Sequence, residues 1–145
     1  MDSKMFTPVS MRAASAYKQV GVETSVEGAS PHQLVKLLFD ALLQSLSSAK
    51  AAMGRGDIEI KGREIGKSVR ILQEGLIASL NQVEGGEVSV NLRGVYGYSV
   101  RALTVANLKN DQTKLTEVIG LIETIADAWK QIAATPSGVQ NSVGV

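Results

Sequence analysis

The sequence predicts an all-α protein, an antiparallel up-down-up-down four-helix bundle preceded by a short N-terminal helix or lid segment. Three observations lead to this fold class. Proline is absent between Pro31 and Pro136, apolar residues recur there at steps of three and four, and glycine or asparagine before an acidic residue interrupts the pattern. The interruptions are Gly54-Arg55-Gly56-Asp57, Gly85-Gly86 and Asn110-Asp111. They leave four helices at roughly 31–53, 57–84, 87–109 and 112–134, whose short connections require antiparallel neighbours.

The first helix has the clearest start. Ser30 can cap it, Pro31 suits its first position, and Gln33 completes a capping box. Its core-facing rows are Leu34, Leu38, Ala41 and Ser45, and Val35, Phe39, Leu42, Leu46, Ala49 and Met53. The second helix carries Ile58, Ile65, Val69, Leu72, Leu76 and Val83, the third Val88, Leu92, Val95, Ser99, Ala102 and Ala106, and the fourth Leu115, Val118, Ile122, Ile125, Trp129 and Ile132. We therefore expect a bundle over 30–134, a flexible segment over 1–29 with a possible lid helix near 11–20, and a disordered tail over 135–145.

The composition argues against several classes of protein. Fifteen Lys and Arg against fourteen Asp and Glu give a net charge of +1, which is too small for whole-surface attraction to nucleic acids or acidic membranes. The absence of cysteine excludes disulfides and thiolate chemistry. Aromatic residues, at 4%, are too few for a base-stacking surface. No apolar stretch reaches the roughly 20 residues of a membrane helix. We expect a soluble cytosolic protein with no nucleic-acid partner and no membrane insertion.

The sequence contains no recognisable catalytic, metal or cofactor motif. The only histidine, His32, lies beside Pro31 in a first turn, which favours a polar helix-start residue over a catalytic base, a metal ligand or a phosphotransfer site. Phosphate loops, dinucleotide fingerprints and nucleophile elbows are missing. A basic stripe on the second helix (Arg63, Lys67, Arg70) is interrupted by acidic residues, which favours a solvated face. We expect no enzyme, no cofactor and no metal.

Apolar residues also occur outside the core-facing rows. A bundle helix needs an apolar arc of about 100°, yet the apolar residues of the fourth helix span about half of its circumference. The second helix has Ile60, Ile71 and Ala78 on its back, and the third has a second stripe of Val90, Gly94, Tyr98, Val105 and Leu108. These extra residues fall in register on consecutive helices, which favours a partner-binding surface. Chance exposure of single residues and a removable cover formed by residues 1–29 remain open.

A set of short motifs covers about residues 14–133. They are Ala16-Tyr17-Lys18-Gln19-Val20, Ala29-Ser30-Pro31-His32-Gln33-Leu34-Val35, Leu37-Leu38-Phe39-Asp40, Gly56-Asp57-Ile58 with Lys61, Asn91-Leu92, Tyr96-x-Tyr98, a stretch ending Ala106-Asn107, and Ala128-Trp129-Lys130. In order and spacing the chain resembles the FliS family of flagellar secretion chaperones. Two positions depart from the family pattern: Gly97 replaces the usual acidic residue, and Phe39 stands where tyrosine is frequent.

The resemblance implies a helical bundle that binds the C-terminal segment of flagellin in the bacterial cytosol. That segment is disordered when free, gains helix on binding, and is thereby kept from polymerising before export. The resemblance also implies that the loaded complex contacts the flagellar export gate. It implies a gating role for Tyr17 and Gln19, because the family's N-terminal segment lies over part of the empty client site.

Together these arguments predict a non-enzymatic chaperone, mainly monomeric and binding its client one to one, with a groove along the second, third and fourth helices. The expected groove residues are Tyr96 and Tyr98 as anchors, Val105 and Leu108 beside them, Asn107 as a partner of the client backbone, and Ile71, Leu121, Ile125 and Ile132 as walls. A core role for Tyr96 and a helix-end role for Asn107 stay open. The alternative is a regulatory or structural bundle that self-associates through the same stripes.

Overall fold

The computed structural model describes residues 28–80 and 86–134, and every regular element in these two ranges is helical. Helix α1 spans Pro31–Gly54. Helix α2 spans Ile58–Arg70 and continues through a π-helical segment, π1 (Ile71–Ile77), into the short α3 (Ala78–Leu80); these three form one rod, called the second rod below. Helices α4 (Gly86–Lys109) and α5 (Gln112–Ala134) complete the bundle. The predicted all-helical fold is confirmed, whereas the expected N-terminal segment and C-terminal tail lie outside the described residues.

Helix α1 begins with the predicted capping box. The Ser30 hydroxyl accepts a hydrogen bond from the backbone N–H of Gln33 at 3.1 Å, and the Gln33 side-chain oxygen accepts one from the backbone N–H of Ser30 at 2.9 Å. Pro31 follows at the first helical position, where its missing N–H has no intrahelical partner to lose. Three residues within a stretch of four therefore define the start of α1.

The turn between α1 and α2 ends one helix and starts the next. Gly56 adopts a φ of +76°, and the backbone N–H of Asp57 reaches back to the carbonyl of Ala52 at 2.9 Å. This is the six-to-one hydrogen bond of a Schellman motif, which favours glycine at the left-handed position. The Asp57 carboxylate then accepts from the backbone N–H of Ile60 and caps α2.

The turn between α4 and α5 repeats this arrangement with a different left-handed residue. Asn110 adopts a φ of +52°, and the backbone N–H of Asp111 donates to the carbonyl of Ala106 at 3.0 Å. The Asp111 carboxylate accepts from the backbone N–H of Lys114 and starts α5. Both turns reverse the chain within a few residues, so the helices that they join lie side by side.

Contacts between helix ends fix the directions of the rods. His32, at the start of α1, stacks on Trp129 near the end of α5. Gly54, at the end of α1, lies beside Gln112 at the start of α5, so α1 and α5 run antiparallel. Helix α1 packs against the second rod and α5, and α4 packs against the same two partners. The four rods therefore form a closed ring around one core.

The core of the described residues is mostly aliphatic, and the rings of Phe39 and Tyr96 are buried within it. Its fully buried side chains include Leu34, Leu38, Phe39, Leu42, Leu46, Leu72, Leu103, Leu115, Val118 and Ile122. Gly75 allows the second rod to approach α1 closely, because a Cβ atom added there would lie 3.1 Å from Cδ2 of Leu38. Leu38 is itself fully buried, so a side chain added at Gly75 would have to displace it within the packed core.

The burial of Ile71 corrects one expectation. Ile71 lies three residues after Ser68 and four before Gly75, both of which are buried, so it belongs to a buried face that is turned to one side of the predicted core row. The π-helical turns that begin at Ile71 bond residue i to i+5 and are wider than α-helical turns. Adjacent residues in π1 are buried in pairs, Ile71 with Leu72 and Gly75 with Leu76. Ile71 is 0% exposed and belongs to the core. Its predicted place on an outer face is wrong.

Candidate functional site

A cavity of about 470 Å³ lies at the end of the bundle where α1 and α4 begin. Its walls are Ser30, Pro31, His32 and Val35 of the α1 end, Leu76, Ser79 and Leu80 of the second rod, Val88, Ser89, Leu92 and Tyr96 of α4, and Trp129 of α5. The walls are mostly apolar with a few polar groups, as in binding pockets of this size. Of these residues, sequence reasoning had named only Tyr96 for the site, since no local pattern shows that four rods meet here.

The His32–Trp129 pair forms one side of this cavity. The two rings stack with centroids 4.2 Å apart and an interplanar angle of 12°. Trp129 donates its indole N–H to the His32 carbonyl, and the carbonyl of Trp129 lies 3.1 Å from His32 Nε2. Because a carbonyl only accepts, this nitrogen must carry the proton. The sole histidine and the sole tryptophan of the chain thus tie the start of α1 to the end of α5.

Replacing His32 by alanine is expected to loosen this end of the bundle. The variant loses the ring stack and one hydrogen bond between half-buried groups, which together lower the free energy of unfolding by about 1–2 kcal/mol. Urea denaturation followed by circular dichroism measures this loss. Trp129 is unchanged in this variant but loses the ring that covers one of its faces. We therefore expect its fluorescence emission to shift to longer wavelength. Unchanged stability and emission would show that the contact contributes nothing.

The two tyrosines predicted as anchors occupy different environments. Tyr96 is 3% exposed and borders the cavity, and burial raises the pKa of its phenol above the ordinary value, so it is neutral at physiological pH. Tyr98 is half-buried, and its hydroxyl donates to the carboxylate of Glu117 on α5 at 2.9 Å. Tyr96 is therefore part of the core and the cavity wall, while Tyr98 bridges α4 and α5 near the surface.

The last turns of α4 present the predicted apolar and amide groups together. Val105 is 37% exposed and Leu108 is 79% exposed, whereas Asn107 between them is half-buried. The backbone carbonyl of Asn107 accepts a hydrogen bond from the Lys61 ammonium at 2.9 Å. We call Val105, Asn107 and Leu108 the α4 end patch.

The predicted groove walls are spread along α5. Leu121 and Ile125 are half-buried, and Ile132 is 40% exposed near the end of the helix. About 20 residues separate the start of α5, next to Leu108, from Ile132, which corresponds to roughly 30 Å of helix. These residues are therefore spread along α5 rather than gathered in one compact site, and we call the span from Leu108 to Ile132 the track. Tyr17 and Gln19 lie outside the described residues.

Neither a metal-binding cluster nor a membrane-spanning helix is found among the described residues. Within 28–80 and 86–134, histidine and carboxylate side chains form no group of three or more that could hold a metal ion. In the same ranges, every helix is too short or too polar to cross a bilayer.

Comparison with known proteins decides the family. The sequence model described as "Flagellar protein FliS" matches residues 13–136. The chain belongs to the FliS family. The flagellar secretion chaperone FliS of Salmonella typhimurium strain LT2 is 45% identical over 122 residues, covering 84% of this chain and 90% of that protein.

Two further relatives have the same description. The flagellar secretion chaperone FliS of Escherichia coli K12 is 40% identical over 132 residues, which cover 91% of this chain and 97% of that protein. FliS of Bacillus subtilis strain 168 is 36% identical over 117 residues, covering 81% and 83% of the two chains. The family indicated by the sequence motifs is confirmed.

Proposed function

We propose that this FliS-family protein is a non-enzymatic cytosolic chaperone that binds the C-terminal segment of flagellin. It keeps the segment from polymerising and supports its delivery to the flagellar export apparatus, including a contact with the export gate. Membership in a family of flagellar secretion chaperones supports the class of function. The observation that carries the choice of surface is the α4 end patch, because a leucine as exposed as Leu108 gains little from the fold itself.

A long apolar track suits a client that is disordered when free. Such a client loses conformational entropy when it becomes ordered, so it must bury a large apolar surface to compensate. A buried area of about 1,500 Å² at about 25 cal/mol per Å² gives tens of kcal/mol before the ordering cost is subtracted. The track from Leu108 to Ile132 is long enough to hold several helical turns of a client.

Titration of the full chain with a peptide covering the flagellin C-terminus tests this proposal. We expect one-to-one binding by calorimetry and a gain of helix by circular dichroism. Trp129 is the only tryptophan and lines the cavity, so its emission in the same titration shows whether the client reaches that end. Absence of binding, both by the full chain and by a chain lacking residues 1–20, would reject the proposal.

The same exposed residues favour one alternative, self-association through the apolar stripes. Leu108 and the 40%-exposed Ile132 would then be covered by a second copy. Light scattering over a wide concentration range separates the two functions. A mass that stays at the monomer value rejects self-association, and a concentration-dependent increase supports it.

A further inference from the structure

Lys61 occupies a position that disfavours a lysine. It lies in the first turn of α2, where the helix dipole is positive, and it is only 4% exposed. Burial of an ammonium group costs free energy unless hydrogen bonds replace its water. None of the ion pairs found among the described residues involves Lys61. A residue that breaks the local preferences of the chain in this way is expected at a functional site, where other interactions offset its cost.

The Lys61 ammonium is satisfied by the end of α4. It donates to the backbone carbonyl of Asn107 at 2.9 Å and to the side-chain oxygen of Asn110, the residue in the left-handed conformation. In the turn after α1, the carbonyl in the equivalent position belongs to Met53 and accepts from the backbone N–H of Gly56. At the end of α4 a side chain from another rod makes this contact.

The contact fixes the part of α4 that carries the α4 end patch. The Lys61 ammonium binds the backbone carbonyl of Asn107. Leu108 directly follows Asn107, and Val105 lies half a helical turn before Asn107. Leu108 is 79% exposed, so packing does little to order it and its direction depends on the backbone of the last turn, while the 37%-exposed Val105 is packed in part. A surface that is ordered before binding loses less entropy when the partner arrives.

We propose that Lys61 is a positioning residue of the client-binding surface. Its ammonium holds the last turn of α4 in the conformation that presents Val105 and Leu108 to an apolar segment of the partner. This inference rests on the proposed function, and it assigns to a buried cation on the second rod a role in binding on α4.

Lys61→Met is the test variant, since methionine keeps much of the apolar stem and removes the ammonium. We expect at least a tenfold loss of affinity for the flagellin C-terminal peptide, at a temperature where circular dichroism shows a folded bundle. Amide hydrogen exchange at residues 108–111 should become at least tenfold faster. Ile65→Val is the matched control, because it trims a buried residue one turn further along α2 and leaves the α4 turn alone.

A second substitution separates positioning from a general loss of stability. Glycine adopts the left-handed conformation without strain, so Lys61→Met combined with Asn110→Gly should recover a large part of the affinity. Binding by Lys61→Met that is no weaker than that of Ile65→Val, or no recovery in the double variant, would overturn the proposal. If the wild-type chain does not bind the peptide, the proposed function fails, and the exchange rates alone decide whether Lys61 orders the turn.

Discussion

Ile71→Asp is expected to unfold the bundle. The Ile71 side chain is 0% exposed and packs in the core. Loss of its apolar contacts costs about 2–5 kcal/mol, and an unpaired carboxylate buried in its place adds several kcal/mol more. A domain of this size has a total stability of about 5–15 kcal/mol. Far-UV circular dichroism at 25 °C should therefore show a large loss of helix, or urea denaturation a steep fall of the midpoint.

Gln73→Asp is the matched control for this variant. Gln73 lies two residues further along π1 and is exposed, so the same carboxylate remains in water and the stability should change by less than about 0.5 kcal/mol. If Ile71→Asp has the stability of the wild type, Ile71 lies at the surface, and its predicted role as a wall of the groove would be restored.

The elements that the sequence predicted well depend on neighbouring residues. Ser30 and Gln33 form a capping box within four residues, and the residue pairs Gly56-Asp57 and Asn110-Asp111 each combine a left-handed residue with the cap of the next helix. Each of these signals is contained within four consecutive residues. The start of α1 and both described turns therefore occur where the sequence placed them.

The elements that were not predicted from the sequence depend on residues far apart in the chain. The π1 segment packs where Gly75 meets Leu38, and helical spacing alone gives no sign of a wider turn. Lys61 appears in the sequence as a polar residue near a helix start, and its burial depends on Asn107 and Asn110 at the end of α4.

The cavity was missed for the same reason. Its walls come from α1, the second rod, α4 and α5, and only the assembled bundle brings them together. The sequence left both an anchor role and a core role open for Tyr96, and packing against the other rods buries it.

Val105→Asp combined with Leu108→Asp is expected to abolish client binding and leave the fold intact. Both side chains are exposed in the described structure, so the carboxylates stay in water when the client is absent. Leu108 would lose about 1.5–3 kcal/mol of apolar burial in the complex and the partly buried Val105 would lose less, and covering two unpaired charges costs more. We expect at least a hundredfold loss of affinity for the flagellin C-terminal peptide by calorimetry, with an unchanged circular dichroism spectrum.

Gln44→Asp combined with Ser47→Asp supplies the matched change of two charges on α1, outside the proposed track. Gln44 and Ser47 are exposed, so this variant should bind the peptide as the wild type does. Equal affinities for all three proteins would mean that the client avoids the end of α4. Trp129 emission then identifies the remaining surface, because this residue lines the cavity at the opposite end of the bundle. A change in emission on binding would place the client at the cavity, whereas constant emission would exclude contact with both ends.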